Sequence, residues 1–170
     1  MNYLKGKNVY LSGAIEFDSG PNWRDEPKKN LFEKFGLSVF DPHADPKNQW
    51  TEELATARQN KDYERMASIA RCFVRKDLCM VDRCDLLIAY MPYKVPTTGT
   101  TEEVIRSNDS KKPTFIICPQ GKEKVPAWFY GYMDHSNFFG SWDEIYDHLQ
   151  EVDNGKHSYN NRWHFCYEII

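Results

Sequence analysis

The residues best suited to chemistry are two adjacent carboxylates, Glu102 and Glu103, in the stretch Tyr93–Arg106 (YKVPTTGTTEEVIR). It follows an apolar run, Asp85–Met91 (DLLIAYM), that reads as a buried strand, and it opens a helix over Thr100–Asp109. T-x-x-E at a helix start is, on pattern alone, a capping box: the Thr100 side chain accepts from the N3 amide and Glu103 reaches back. The other reading is a carboxylate held at a strand-end rim as a nucleophile or electrostatic stabiliser. A helix N-terminus favours the ionised form by about 0.3–1 kcal/mol. Glu102 is expected to face elsewhere on the helix, which leaves Glu103 as the candidate.

Asp77 is the second oddity. It continues a helical stripe of Met66, Ala70 and Phe73. A carboxylate on an inner helix face is costly unless it is paired or lines a cleft. It either bonds a neighbouring turn or projects into a pocket beside Glu103. Asp82 and Asp85 read as a turn cap and a strand opener.

Strand Asn8–Ser12 ends in YLSGAI, which is not G-x-G-x-x-G, so a dinucleotide fingerprint is absent. Gly13 lets a ligand approach the backbone closely. Tyr10 either packs in the core or faces the pocket end. Trp23-Arg24 follows a Ser-Gly-Pro turn and reads as a packing Trp with an exposed Arg, or as an anion or sugar contact. The five histidines show no ligand spacing, so no metal is expected; no cofactor is expected either. No G-x-S-x-G and no P-loop is present. The five cysteines read as core residues.

These residues need a scaffold. Helices are expected over Asn22–Gly36, from about Asp62 to Met80, and over Trp142–Val152. Strands are expected at Leu37–Asp41, Pro113–Cys118 and Asn137–Phe139 as well as the two above. Residues 43–61 are polar and irregular, with ambiguous helical content around Thr51–Arg58. Alternation of strands and helices predicts an α/β fold: a flavodoxin- or Rossmann-like three-layer α/β/α sandwich on a mostly parallel five-stranded sheet. Such sheets bind ligands at the carboxyl ends of their strands. Residues 1–152 form the expected domain and residues 153–170 a C-terminal tail.

At 170 residues the chain can bury a real core. A net charge of −3 provides no global field for a nucleic-acid polymer or an anionic membrane. No run approaches a membrane span, and MNYLKGKNVYLSG has no apolar stretch long enough for a signal peptide. An odd cysteine count without C-x-x-C points to a reducing compartment, so a cytoplasmic protein is expected.

The order of these features is more specific than any one of them. YLSGAI, RKDLCMVDRCD, LLIAYM, the G-T-x-x-E turn and PTFIIC, over about residues 8–120, together resemble the nucleoside 2-deoxyribosyltransferase family. The related deoxynucleoside 5′-monophosphate N-glycosidases share that core. The resemblance implies that Glu103 is the nucleophile, that Tyr10 contacts it, and that Asp77 sits by the nucleobase and assists its protonation. It implies that Asn137 binds the sugar 5′-hydroxyl, often across a subunit interface, so a homodimer or larger homo-oligomer is expected. Ser12, Gly13, Arg24, Thr97, Gly99 and Thr100 are the further substrate-binding candidates. Thr97 departs from the pattern, because these transferases often carry an Asp six residues before the nucleophile.

The implied substrates are a deoxynucleoside or deoxynucleotide and a nucleobase. The implied reaction moves deoxyribose between bases through a covalent deoxyribosyl-Glu103. One alternative is hydrolysis of deoxynucleoside 5′-monophosphates in the same pocket. Another is a nucleotide-binding regulatory module without turnover, with Glu103 only a cap. A third is a structural interaction protein using the aromatic stretch Trp128–Phe139.

Overall fold

The computed structural model describes residues 2–15, 22–44, 49–156 and 162–166. Five strands form one sheet: β1 (Asn8–Gly13), β2 (Ser38–Phe40), β3 (Leu86–Tyr90), β4 (Thr114–Ile117) and β5 (Phe138–Phe139). Their order is β2-β1-β3-β4-β5, and all four pairings are parallel. This is the flavodoxin-like order, whose switch point lies between β1 and β3. The chain crosses from β1 to β2 on one side, then returns to place β3 on the other.

The helices are α1 (Asp25–Phe35), α2 (Gln49–Gln59), α3 (Tyr63–Arg83), α4 (Thr98–Asp109), α5 (Ala127–Tyr132) and α6 (Trp142–Asp153). Leu31 and Phe35 of α1 pack with Ile145 and Leu149 of α6 against Val9, Leu11, Leu86, Ile88 and Phe115. Val81 of α3 and Val104 of α4 pack the opposite face, against Tyr10, Leu87, Ala89 and Ile116. Successive strand residues point to opposite faces. That alternation sends Val9 and Leu11 toward α1 and α6, and Tyr10 toward α3 and α4.

Local chemistry explains most boundaries. Pro27 does not weaken α1, because it is the third residue and its missing N–H belongs to the unpaired first turn. Gly36 closes α1 in the left-handed region at φ 67°, its N–H reaching back to Leu31 and Phe32. Asp62 caps α3 by accepting from the Arg65 amide at 2.9 Å. Ser141 caps α6: its hydroxyl accepts from the Glu144 amide, and Glu144 in turn accepts from the amide of Gly140, just before the cap.

Three expectations change. Residues 49–59 are a full helix, α2, and Pro42–Ala44 form a 3-10 turn. Cys72 and Cys79 are exposed, while Cys84, Cys118 and Cys166 are buried. Part of the C-terminal segment joins the main core: Trp163 is 2% exposed and stacks on Phe115 at 5.8 Å. Arg162 fastens it by donating to the carbonyls of Asn108 and Lys112. The last four residues of FCYEII lie outside the described residues.

Candidate active site

α4 begins at Thr98, two residues before the expected start, and that shift decides the role of Glu103. Thr97 stands at the N-cap without a side-chain cap bond, so Thr100 is not the cap. Glu103 is the sixth residue of the helix, beyond the first turn where the dipole acts. It falls on the buried stripe Thr100, Glu103, Val104, Ser107 and Asn108, at the spacing of a helix's inner face. The capping-box reading therefore fails, and the carboxylate is directed at the sheet.

There it meets β1. The Tyr10 hydroxyl donates to Glu103 Oε1 at 2.8 Å, and the Ser12 hydroxyl donates to Oε2. Both donors lie on one face of β1 because they are two residues apart. Tyr10 is 1% exposed, so the core-packing and site-facing readings both hold: its ring packs and its hydroxyl serves the carboxylate. Ser12 is fully buried and holds Glu103.

Burial pushes the Glu103 carboxyl up to about 7, against the pull of Ser12 and Tyr10 toward the ionised form. Asp77 adds to the rise and Arg24 opposes it. Desolvation thus outweighs the two hydroxyl bonds that favour the anion. Burial likewise lifts Asp77 to about 6, opposed by Lys76. The Tyr10 phenol is raised too, by burial and then by the Glu103 charge.

Glu103 and Asp77 share one cavity of about 300 Å³. Gly13, Ala14 and Ile15 extend from β1, Pro42 follows β2, and Pro96, Thr97, Thr98, Gly99 and Thr100 bring in the head of α4. A second hollow of about 360 Å³ adjoins it through Pro42, Lys76 and Asp77, and Tyr10 and Phe40 line its wall. Asp77 therefore lines a cleft, and among the described residues it makes no hydrogen bond to a neighbouring turn. Asp82 instead pairs with both Arg106 nitrogens, and Asp85 accepts from the Asn8 amide.

Two candidates lie elsewhere. Arg24 is 2% exposed behind the rim, where Nη2 donates to the Gly13 carbonyl at 2.9 Å and Nε faces Asp41 at 3.4 Å. It is neither exposed nor among the described cavity-lining residues. Asn137 precedes the edge strand β5, with β3 and β4 standing between β5 and β1. It is not among the described residues that line the cavity with Glu103.

The sequence also left residues out. Trp50, Thr51 and Leu54 of α2 line the cavity, as do Cys72, Phe73 and Lys76 of α3. Trp50, Leu54 and Phe73 supply apolar wall suited to a flat ring. Phe73 carried a signal, since it shares the stripe of Asp77. α2 carried little, because its apolar residues are few and its role depends on packing against α3. Among the described residues no group of three His, Cys, Asp or Glu side chains is placed to hold a metal. No described helix is long and apolar enough to cross a membrane.

A parallel sheet in this order, with one buried and one partly buried carboxylate in a cavity at its switch point, defines a Rossmann-like α/β protein with room for a small ligand at its strand ends. The chain belongs to the nucleoside 2-deoxyribosyltransferase family, whose model matches residues 9–155. No curated protein is similar enough to the chain to match it. Membership supports an enzyme of nucleoside deoxyribosyltransferase type, with nucleosides and bases as its substrate class.

Proposed function

We propose that this protein cleaves the N-glycosidic bond of 2′-deoxynucleosides and transfers the sugar to another base through a deoxyribosyl-Glu103 ester. The observation that carries this reading is the Glu103 carboxylate, buried in a cavity wall with both oxygens oriented by the hydroxyls of Tyr10 and Ser12. An unpaired carboxylate would be too costly there, and one fully enclosed by cations would be a poor nucleophile.

Glu103 attacks C1′, the bond from C1′ to the base nitrogen breaks, and its electron pair goes to the departing base. Asp77, protonated, gives that base a proton. The incoming base then attacks C1′ and breaks the ester, returning the carboxylate, and its surplus proton restores Asp77. Two displacements give net retention. A 2′-deoxy sugar ionises readily at C1′, so one nucleophilic carboxylate suffices.

A second reading has its own support: hydrolysis of deoxynucleoside 5′-monophosphates. The first turn of α4 carries no acidic residue and no side-chain cap, and it faces the cavity. Its amides and the Thr98 and Thr100 hydroxyls suit a phosphate. Contribution of Asn137 by a neighbouring copy, and the homo-oligomer this needs, belong to the proposal as well.

The test is incubation of the protein with each deoxynucleoside and each 5′-monophosphate, with and without an acceptor base. A new nucleoside formed only with acceptor supports transfer. Free base without acceptor replaces transfer by hydrolysis. Nucleotide binding with no cleavage of any substrate overturns both and leaves a binding module.

A further inference from the structure

Arg24 breaks three local rules. It occupies the N-cap of α1, where Ser, Thr, Asp and Asn are preferred, and its side chain forms no cap bond. It places a cation at the positive end of a helix. It is also 2% exposed, and burying a guanidinium is costly unless it is well paired. Local conflicts of this kind concentrate where function demands them.

Its contacts show what the position does. Nη2 donates to the Gly13 carbonyl at 2.9 Å, at the end of β1. Nε faces Asp41 Oδ1 at 3.4 Å, just beyond β2. Asp41 is held in turn by the Lys28 ammonium at 3.0 Å and the His43 amide at 2.9 Å. The guanidinium lies 4.2 Å from the Trp23 ring, and Trp23 stacks on Tyr90 of β3 at 4.7 Å. One side chain thus links the carboxyl ends of β2, β1 and β3. The residue before Gly13 is Ser12, which donates to Glu103.

We infer that Arg24 is a positioning residue: by holding the Gly13 carbonyl and pairing with Asp41 it secures the strand ends under the cavity and so keeps the neighbouring Ser12 hydroxyl on Glu103. This rests on Glu103 being the nucleophile. Among the described residues, the groups that act on Glu103 are Tyr10 and Ser12 of β1, Asp77 of α3, and Arg24 at the head of α1. The two hydroxyls and Arg24 favour the anion, and Asp77 opposes it.

The test compares wild type with Arg24→Met, Arg24→Lys, Asp41→Asn and Glu103→Gln. It measures kcat/KM from pH 5 to 9 on a deoxynucleoside that wild type turns over, alongside thermal melts. Arg24→Met should move the acid limb up by about half to one pH unit. Arg24→Lys should hold that limb near the wild-type position, even if kcat falls. Asp41→Asn removes the carboxylate that pairs with Arg24 and should move the limb up as well, by less than Arg24→Met.

A general loss of stability would lower the melting temperature and the rate at every pH and leave the limb in place. An unmoved limb in Arg24→Met, or an equal rise in Arg24→Lys, overturns the inference. If Arg24→Met does not fold, the direction of the Asp41→Asn shift decides, and a limb that stays or falls overturns it. Undiminished activity in Glu103→Gln would instead overturn the nucleophile reading itself.

Discussion

Tyr10 and Glu103 stand 93 residues apart in the chain, yet the tyrosine hydroxyl donates to the carboxylate at 2.8 Å across the interface between β1 and α4. The contact exists because Tyr10 is on the α4 side of β1 and Glu103 is on the buried stripe of α4. With Ser12 on the second oxygen, it leaves the carboxylate oriented beside a cavity.

Glu103→Gln removes the proposed nucleophile while keeping its shape. Turnover should fall by a factor on the order of 10⁴ or more. Intact-mass measurement should find a deoxyribosyl adduct on wild type held with substrate and no acceptor, and none on the variant. A variant of near wild-type rate would return Glu103 to a structural role.

Tyr10→Phe and Ser12→Ala each remove one donor to a charged group, a bond worth about 1.5–3 kcal/mol. Both donors favour the Glu103 anion. Each variant should therefore lose roughly 10- to 100-fold in kcat/KM near neutral pH, with the acid limb displaced upward. Steady-state rates across pH check both effects.

The pH profile of the wild type follows from two raised carboxyls. Glu103 must be ionised to attack, so activity rises as pH passes about 7. Asp77 must be protonated to assist departure, so activity falls as pH passes about 6. The product is a bell centred at about pH 6.5, in which the reactive form is a minority. A profile rising steadily to pH 9 would remove Asp77 from the acid role.

Glu103 should also cost stability. Its folded-state carboxyl is raised above the unfolded value of 4.5, so its favourable contribution is complete below that pH and lost as pH rises through about 7. Glu103→Gln should raise Tm at pH 8 by several degrees and give no such gain at pH 4. Thermal melts at the two pH values decide.

Gly13→Ala tests the rim. A Cβ there would stand 2.5 Å from a Trp23 ring carbon and 3.0 Å from the Tyr90 carbonyl oxygen. Overpacking of this kind costs roughly 1–3 kcal/mol, so Tm should fall by several degrees and activity with it.

By itself the sequence determined the α/β class, the order of elements and the candidacy of Glu103, Asp77 and Tyr10. These depend on periodicity and on residues near one another in the chain, and a buried stripe interrupted by a carboxylate is visible in one dimension. The tertiary structure decided the rest. It showed that α4 starts at Thr98, which turns Glu103 from a cap into a carboxylate aimed at β1. It made Ser12 a partner of Glu103, brought Trp50 and Leu54 into the wall, buried Arg24 against Gly13 and Asp41, and left Asn137 two strands away. It also set the carboxyl of Glu103 near 7, because desolvation depends on what surrounds a group in space. Neither helix register against a sheet nor burial is encoded by local spacing. Both follow from long-range packing of the whole chain.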